Sequence, residues 1–244
     1  MTAFILALGI AFGTAQQSEP ATYRVTLLRA APGALLELVD VVTRHGATLE
    51  AQGERPPVVL RHRQGDHWDL FVLYPIGSMS SYYAPERVAR RSVRAHAAGL
   101  TEPQFEDTLR RLVAWRQDLF VSGPSITDLV AALDGGGFFH IEMFVALPGR
   151  HEALVAQRQM ENAYLAALDR PQNLIFIREA GAEWDLFTLG VYHSLAHYAE
   201  SDAIPDDRAD AAARAAGFEA GDRIGTYMRT LIAHHHDTLL SRVR

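Results

Sequence analysis

Two stretches of the sequence, GDHWDLFVLY at 65–74 and GAEWDLFTLG at 181–190, are near copies of each other. In each, a glycine comes shortly before Trp-Asp-Leu-Phe. Another apolar segment precedes that glycine, VVLRHR at 58–63 in one case and LIFIRE at 174–179 in the other. Two such segments joined by a short glycine-containing turn are typical of a β-hairpin. The sequence therefore predicts the same hairpin twice.

The similarity extends beyond the hairpins. With the same offset, Pro-Gly at 32–33 matches Pro-Gly at 148–149. Further along, LVAWRQD at 112–118 resembles LIAHHHD at 231–237 after small insertions. Chance matches do not hold one register over such a length, so the pattern predicts a tandem duplication.

The duplication divides the chain into two halves, residues 21–125 and 137–244. Between them, residues 126–136 are predicted to form a short helical linker that ends in glycines. Residues 1–20 hold an apolar run, followed by small residues up to Ala15, which resembles a signal peptide and its leader. This predicts export to the periplasm or the medium. Because no Lys or Arg precedes the run, a first strand or a misassigned start stays an alternative.

Composition limits the classes of partner. The chain has 244 residues, 48% of them hydrophobic, which is enough for one large core or two small ones. A net charge of -6 without a basic run argues against nucleic acid as a partner. No apolar run is long enough to span a membrane in the mature chain. Cysteine is absent, which excludes disulfides and thiolate chemistry.

Each half has the same predicted order of elements: strand, helix, hairpin and helix. Residues 23–30 and 139–146 alternate in polarity, as half-buried strands do. Ser78 and Ser194 are predicted N-caps after the two hairpins, and a short last strand is predicted at 119–121. A final helix is predicted from an apolar stripe in each half, formed by Phe105, Leu109, Leu112 and Leu119 and by Ile224, Met228, Leu231 and Leu239.

This order is that of a ferredoxin-like α+β unit, with an antiparallel sheet and helices on one face. The two bare sheet faces have to cover each other, which predicts two fused ferredoxin-like repeats that form an intrachain barrel. The stretches YRVTLLRAAPGALLELVDVV at 23–42 and YPIGSMSSYY at 74–83 resemble the dimeric α/β-barrel superfamily, in its NIPSNAP and antibiotic-monooxygenase-like branches. The resemblance implies a fold that hosts cofactor-free monooxygenases, isomerases and haem enzymes, so it does not decide the function.

The repeated Trp-Asp pairs have two interpretations. A residue kept in both halves is expected to serve the shared fold, with Trp68 and Trp184 as core anchors and Asp69 and Asp185 bonded to backbone donors or an arginine. The alternative is that these residues line a ligand cavity.

Catalytic residues are better sought where the halves differ. His140 and Glu142 lie two positions apart on one strand and therefore share a face, where the first half has Arg24 and Thr26. If that face lines the barrel interior, Arg24 could orient an anionic group while His140 and Glu142, with Asp185, exchange protons. An exposed polar face or a structural ion pair is the alternative.

The run of histidines at 234–236 invites a metal hypothesis, but on a helix three successive side chains point in different directions. His235 alone falls on the predicted apolar stripe of the last helix. Because haem-binding relatives often take an axial histidine from a helix packed on the sheet, the resemblance makes His235 a candidate haem ligand. The alternative is a hydrogen-bonded core histidine.

His193 and His197 are four positions apart at the start of a predicted helix, with Glu200 close behind, a spacing that could hold a metal ion. Exposed residues near the helix start explain them equally well.

These observations predict an exported barrel protein that binds a small apolar or aromatic molecule. One hypothesis is a cofactor-free monooxygenase-like or isomerase-like enzyme. The others are a haem protein centred on His235 and a non-catalytic interaction module.

Overall fold

The computed structural model of the chain describes residues 19–98 and 101–243, apart from the side chains of 96–98. The predicted signal peptide at 1–15 lies outside the described residues. In the described ranges, no helix has both the length and the apolar character needed to cross a bilayer.

Antiparallel strands form the centre of the molecule. The strands are β1 (Ala21–Ala30), β2 (Val58–Gln64), β3 (Leu70–Gly77), β4 (Val113–Gly123), β5 (Phe138–Ala146), β6 (Leu174–Gly181), β7 (Leu186–Tyr192) and β8 (Ile232–Arg242). They form a closed barrel in the order β1-β3-β2-β8-β5-β7-β6-β4. The two halves meet along two seams, where β2 pairs with β8 and β4 pairs with β6.

Helices cover the outside of the barrel, except that Leu129 and Leu133 of the linker helix pack against its apolar core. They are α1 (Leu35–Ala51), α2 (Met79–Tyr82), α3 (Pro85–Ala98), α4 (Glu102–Leu112), α5 (Ile126–Leu133), α6 (His151–Ala167), α7 (Leu195–Ala199), α8 (Asp206–Ala215) and α9 (Ile224–Arg229). Short 3-10 helices lie at Glu200–Ala203 and Gly221–Arg223. In each half we call the space between the outer sheet face and these helices the helix–sheet layer.

The second half repeats the element order of the first. Both predicted hairpins are confirmed, because β2 pairs with β3 and β6 pairs with β7 in antiparallel register. The predicted caps are confirmed as well: the hydroxyl of Ser78 accepts a hydrogen bond from Ser81 N, and that of Ser194 accepts one from His197 N. The linker helix is α5.

The barrel interior is filled with apolar side chains from both halves. Alternate residues of each strand point inward, so β1 contributes Tyr23, Val25 and Leu27. The rings of Phe176 and Phe187 stack in the centre, with centroids 4.6 Å apart. Fully burying one such side chain stabilises the fold by about 1.5–3 kcal/mol. The interior is therefore a packed core.

Backbone conformation and close packing explain why a glycine precedes Trp-Asp-Leu-Phe in both halves. Gly65 and Gly181 have φ angles of +122° and +104°, which residues with a Cβ rarely adopt. A Cβ on Gly65 would overlap the backbone carbonyl of Asp237, and one on Gly181 would overlap that of Asp118. Each glycine therefore lets a hairpin turn lie against a strand of the other half.

The Trp-Asp pairs lie just before the strands, not within them, because β3 and β7 begin at the following leucines. Asp69 Oδ2 accepts a hydrogen bond from Ala30 N at 2.8 Å, and Asp185 Oδ2 accepts one from Ala146 N at 2.9 Å. Asp185 also pairs with Arg178 at 2.5 Å. These contacts confirm the expectation that the aspartates bond to backbone donors or an arginine.

The prediction of a final helix in each half is wrong for the C-terminal part of the segment, which forms a strand. Helix α4 ends at Leu112 and α9 ends at Arg229, and the long strands β4 and β8 follow. Leu119 and His235 therefore lie on strands. The apolar positions fit a helical stripe by coincidence, but pairing β8 with both β5 and β2 satisfies its backbone on two sides.

Candidate functional site

The face that carries His140 and Glu142 looks outward, towards the helices. Their neighbours Phe139, Ile141 and Met143 point into the barrel interior. The condition that His140 and Glu142 line the interior is therefore not met. They lie in the helix–sheet layer of the second half, where side chains from β8 and α6 reach them.

One carboxylate of β8 connects two imidazoles. Asp237, which is paired with Glu142 across the β5–β8 ladder, has its Oδ1 3.3 Å from His140 Nε2. Its Oδ2 lies 3.2 Å from His235 Nε2. The His140 side chain is 16% exposed and that of Asp237 is 51% exposed, so the pair can be reached from solvent.

The surroundings of His140 change its basicity. Burial alone would lower the pKa of His140, but the contact with Asp237 and the negative charges of Glu142 and Glu161 outweigh it and raise that pKa above its usual value. In turn, the contact with His140 lowers the pKa of Asp237. His140 is therefore a stronger base than a free imidazole, and Asp237 keeps its negative charge to a lower pH than a free aspartate does.

Glu142 is held by an arginine and a threonine. Its Oε2 accepts hydrogen bonds from Thr188 Oγ1 at 3.1 Å and from Arg158 Nη1 at 3.2 Å. The Arg158 side chain is only 2% exposed, and its guanidinium lies 4.8 Å from the centre of the Phe144 ring. The Glu142 carboxylate is therefore fixed in position beside the histidine–aspartate pair.

Arg158 also donates hydrogen bonds to two neighbouring side chains of its own helix, α6. Its Nη2 donates to Glu161 Oε2 at 2.5 Å and its Nε donates to Gln157 Oε1 at 2.6 Å. Burial and the nearby Glu142 charge raise the pKa of Glu161, although Arg158 opposes this. We call His140, Glu142, Arg158, Glu161, His235 and Asp237 together the polar cluster.

The first half has a different set at the equivalent place. Thr26 Oγ1 donates to Asp118 Oδ1 at 2.6 Å, and Arg116 Nε donates to Asp118 Oδ2 at 2.6 Å. No histidine takes part in these contacts within the described residues. The fold therefore does not require the histidines of the polar cluster.

Sequence reasoning missed part of the cluster. Asp237 could have been found, because the match of LIAHHHD with LVAWRQD aligns it with Asp118. Arg158 and Glu161 lie on α6 without a recognisable motif. Their only sequence signal is that, at helical spacing, positions 158 and 161 fall on the same stripe as Leu154 and Leu165.

The other predicted site residues lie elsewhere. Asp185 contacts the end of β5 at Phe144 and Ala146, and the contacts of its carboxylate hold the fold together. Trp68 and Trp184 are 1% and 4% exposed in the barrel interior. The two tryptophans occupy equivalent positions in the two halves, as Asp69 and Asp185 do.

Arg24 does not join His140, contrary to the expectation that both serve one cavity. Its guanidinium lies 4.2 Å from the centre of the Tyr74 ring, in the helix–sheet layer of the first half. The reason is that strand β1 and strand β5 belong to different halves of the barrel and face different helices.

His193 and His197 stack on each other, with ring centroids 5.0 Å apart. His193 Nδ1 lies 3.2 Å from the carbonyl of Gly135, and Glu200 pairs with Arg170 at 2.9 Å. In the part of the chain that the structure describes, no group of three or more His, Asp or Glu side chains is arranged to hold a metal ion. The predicted pair therefore lacks its third ligand.

The surroundings of His235 do not fit an axial haem ligand. The residue lies on a strand, its ring lies parallel to that of Phe144 at 5.8 Å, and its Nε2 contacts Asp237. Its neighbours His234 and His236 point to the opposite face, against Trp184.

Solved structures share this fold at low sequence identity. An anthrone oxidase-like protein superimposes with a TM-score of 0.56 at 11% identity, over 93% of this chain and 92% of that chain. A proposed monooxygenase from Fusobacterium nucleatum gives 0.56 at 8% identity, over 92% and 93%. A proposed chlorite dismutase gives 0.50 at 11% identity, over 93% and 96%.

No family model matches the sequence, and no curated protein matches it. At these identities the similarity to solved structures shows the fold alone. The chain therefore has the fold of the dimeric α/β-barrel proteins.

Proposed function

We propose that the chain is a cofactor-free enzyme that removes a proton from a weakly acidic carbon of a small aromatic ligand. The observation that carries the proposal is the contact of Asp237 with His140 in a solvent-accessible part of the second half. A carboxylate that orients an imidazole is the arrangement of a general base, and it stabilises the imidazolium that forms.

The geometry suggests which atom receives the proton. Because Asp237 contacts Nε2 of His140, Nδ1 is the ring nitrogen left to act as the base. Glu142 is held by Thr188 and Arg158, so its negative charge stays beside the imidazole and favours protonation.

Aromatic rings next to His140 favour a flat ligand. The Tyr198 ring lies 5.4 Å from the His140 ring and 5.8 Å from that of Phe138. Rings at this distance provide edges and faces against which an aromatic ligand can stack. The exposed side of Asp237 is the side from which such a ligand would approach.

Two outcomes share this proton abstraction. In an isomerase the proton returns to another carbon of the same molecule. In a monooxygenase the carbanion reacts with dioxygen: the ligand CH2 becomes a carbonyl, one oxygen atom enters the product and the other leaves as water. The solved structures that share this fold include an anthrone oxidase-like protein and a proposed monooxygenase, which favours the second outcome.

Anthrone, a flat ketone with an acidic CH2 group, is a suitable probe. Dioxygen consumption and anthraquinone formation are measured without added metal or cofactor, and deuterium uptake is measured without dioxygen. His140→Gln should lower both rates by about a hundredfold or more, the usual contribution of a general base. Asp237→Asn should lower them as well.

The matched control is His193→Gln, an exposed histidine outside the polar cluster. It should leave both rates unchanged. Wild-type protein that accelerates neither reaction, or a His140→Gln variant that keeps the full rate, would argue against the proposal and favour a non-catalytic interaction module.

The evolutionary part of the proposal is a tandem duplication within the NIPSNAP and antibiotic-monooxygenase-like branch. Asp69 and Asp185 make the same contact with the neighbouring strand of their own half, which supports the duplication. Haem is not part of the proposal, because His235 does not fit as its ligand.

A further inference from the structure

A cavity of about 350 Å³ lies in the helix–sheet layer of the first half. Arg24 of β1 lines it from the sheet side, and Arg91 of α3 and Glu102 of α4 line it from the helices. Leu49 and Tyr82 add apolar and aromatic surface. The polar cluster of the second half contributes no residue to it.

Arg24 has no acidic partner in this cavity. Its Nε is buried without a hydrogen-bond partner. In the described part of the chain, no carboxylate oxygen lies within 4.0 Å of its guanidinium nitrogens, the distance that defines an ion pair. The guanidinium lies instead over the Tyr74 ring, 4.2 Å from the ring centre. A cation removed from water without a partner is unfavourable, so this arginine is a strong candidate for binding an anion.

The nearby carboxylates are engaged elsewhere. Asp118 is bound by Thr26 and Arg116, and Glu102 Oε2 lies 3.2 Å from His45 Nε2. Both carboxylates still favour the charged form of Arg24 electrostatically, but neither accepts a hydrogen bond from its Nε, which stays without a partner.

A second arginine strengthens the positive character of the cavity. Arg91 lies over the Tyr82 ring at 4.0 Å and donates to the Tyr82 carbonyl at 2.8 Å. Its distance to Glu54 is 3.7 Å, and Glu54 is bound more closely by Arg87. Arg91 thus keeps donor capacity for a ligand.

We infer that this cavity binds a small aromatic carboxylate, with the carboxylate on Arg24 and the ring against Tyr82 and Leu49. A volume of 350 Å³ is near the lower end for small-molecule sites, so it suits a ligand of one or two rings. An arginine guanidinium can donate two parallel hydrogen bonds to a carboxylate, which a neutral ligand cannot match.

The probes are 2-naphthoate and its neutral analogue 2-naphthamide, with dissociation constants measured by calorimetry on the full chain. The wild-type protein should bind naphthoate about tenfold or more tightly than the amide, the effect of one charged hydrogen bond. Arg24→Met should remove this preference. Arg90→Met, an exposed arginine on the same helix as Arg91, should leave it unchanged.

A second variant covers the case in which Arg24→Met does not fold. Val88 is 42% exposed and lines the cavity, so Val88→Trp can obstruct it without disturbing the core. It should weaken both ligands, whereas His140→Gln should weaken neither. Equal binding of acid and amide, absence of binding by the wild-type chain, or naphthoate binding that survives Val88→Trp would overturn the inference.

Discussion

Arg158 is the residue whose loss should damage the second half most. It is 2% exposed, and its guanidinium contacts the carboxylates of Glu142 and Glu161 and the amide of Gln157. Arg158→Met keeps the length of the side chain but leaves two largely buried carboxylates without a counter-charge. Breaking a buried ion pair in this way costs about 3–5 kcal/mol.

Unfolding by urea and by heat, each monitored by circular dichroism, measures this loss as a free energy and as a melting temperature. For a chain of this size, about 2–4 °C of melting temperature correspond to 1 kcal/mol, so a fall of about 10 °C is expected. Because Arg158 lowers the pKa of Glu161, that pKa should rise further in the variant. The defect at about pH 7 should therefore shrink as the pH falls towards about 4.5, because the Glu161 carboxyl becomes protonated on the way.

Arg44→Met is the matched control. Arg44 pairs with Asp40 on the surface of α1, and both side chains are 63% exposed. An exposed pair contributes about 0–1 kcal/mol. If Arg158→Met destabilised the chain no more than Arg44→Met, or equally at both pH values, the reasoning about the polar cluster would be refuted.

Other variants test the hairpins and the histidine. Gly65→Ala should destabilise the chain by more than about 2 kcal/mol, because the new Cβ meets the Asp237 carbonyl. In Gly33→Ala the new Cβ meets no atom within 4 Å, at a φ of +79°, so this variant should lose less free energy of unfolding in the same urea titration. Asp69→Asn should cost about 1–3 kcal/mol through a weakened hydrogen bond to the backbone, measured by thermal unfolding. Because the pKa of His140 is raised on folding, its protonation stabilises the folded chain at pH values below 6.5, and this stability is lost as the pH rises through the folded-state pKa. The stability of the wild-type chain relative to His140→Gln should therefore shrink towards alkaline pH, as measured by unfolding at several pH values.

Much of the fold could be predicted from local patterns. The glycine turns at Gly65 and Gly181, the hydroxyl caps and the alternating strands each depend on a few neighbouring residues. The strands β4 and β8 could not be predicted in full, because their apolar residues fit a helical stripe as well as an alternating one. Only pairing with distant strands decides between the two.

The candidate site was predictable only in part. His140 and Glu142 could be placed on one face, but not on the outward one, because that face also carries the apolar Phe138 and Phe144 and either face of β5 could have lined the barrel. Arg158 and Asp237 reach them from elements distant in sequence, and no spacing rule connects such residues. Charged side chains in a helix–sheet layer become recognisable as a cluster only in three dimensions.

The most direct test of the central claim is the pKa of His140, measured by NMR titration of the imidazole in the wild-type chain and in Asp237→Asn. The account predicts a wild-type pKa above 6.5 that falls in Asp237→Asn, because the variant loses the negative charge that holds the imidazolium. A wild-type pKa at or below 6.5, or one that does not move in Asp237→Asn, would contradict the claim that the two residues form a functional pair.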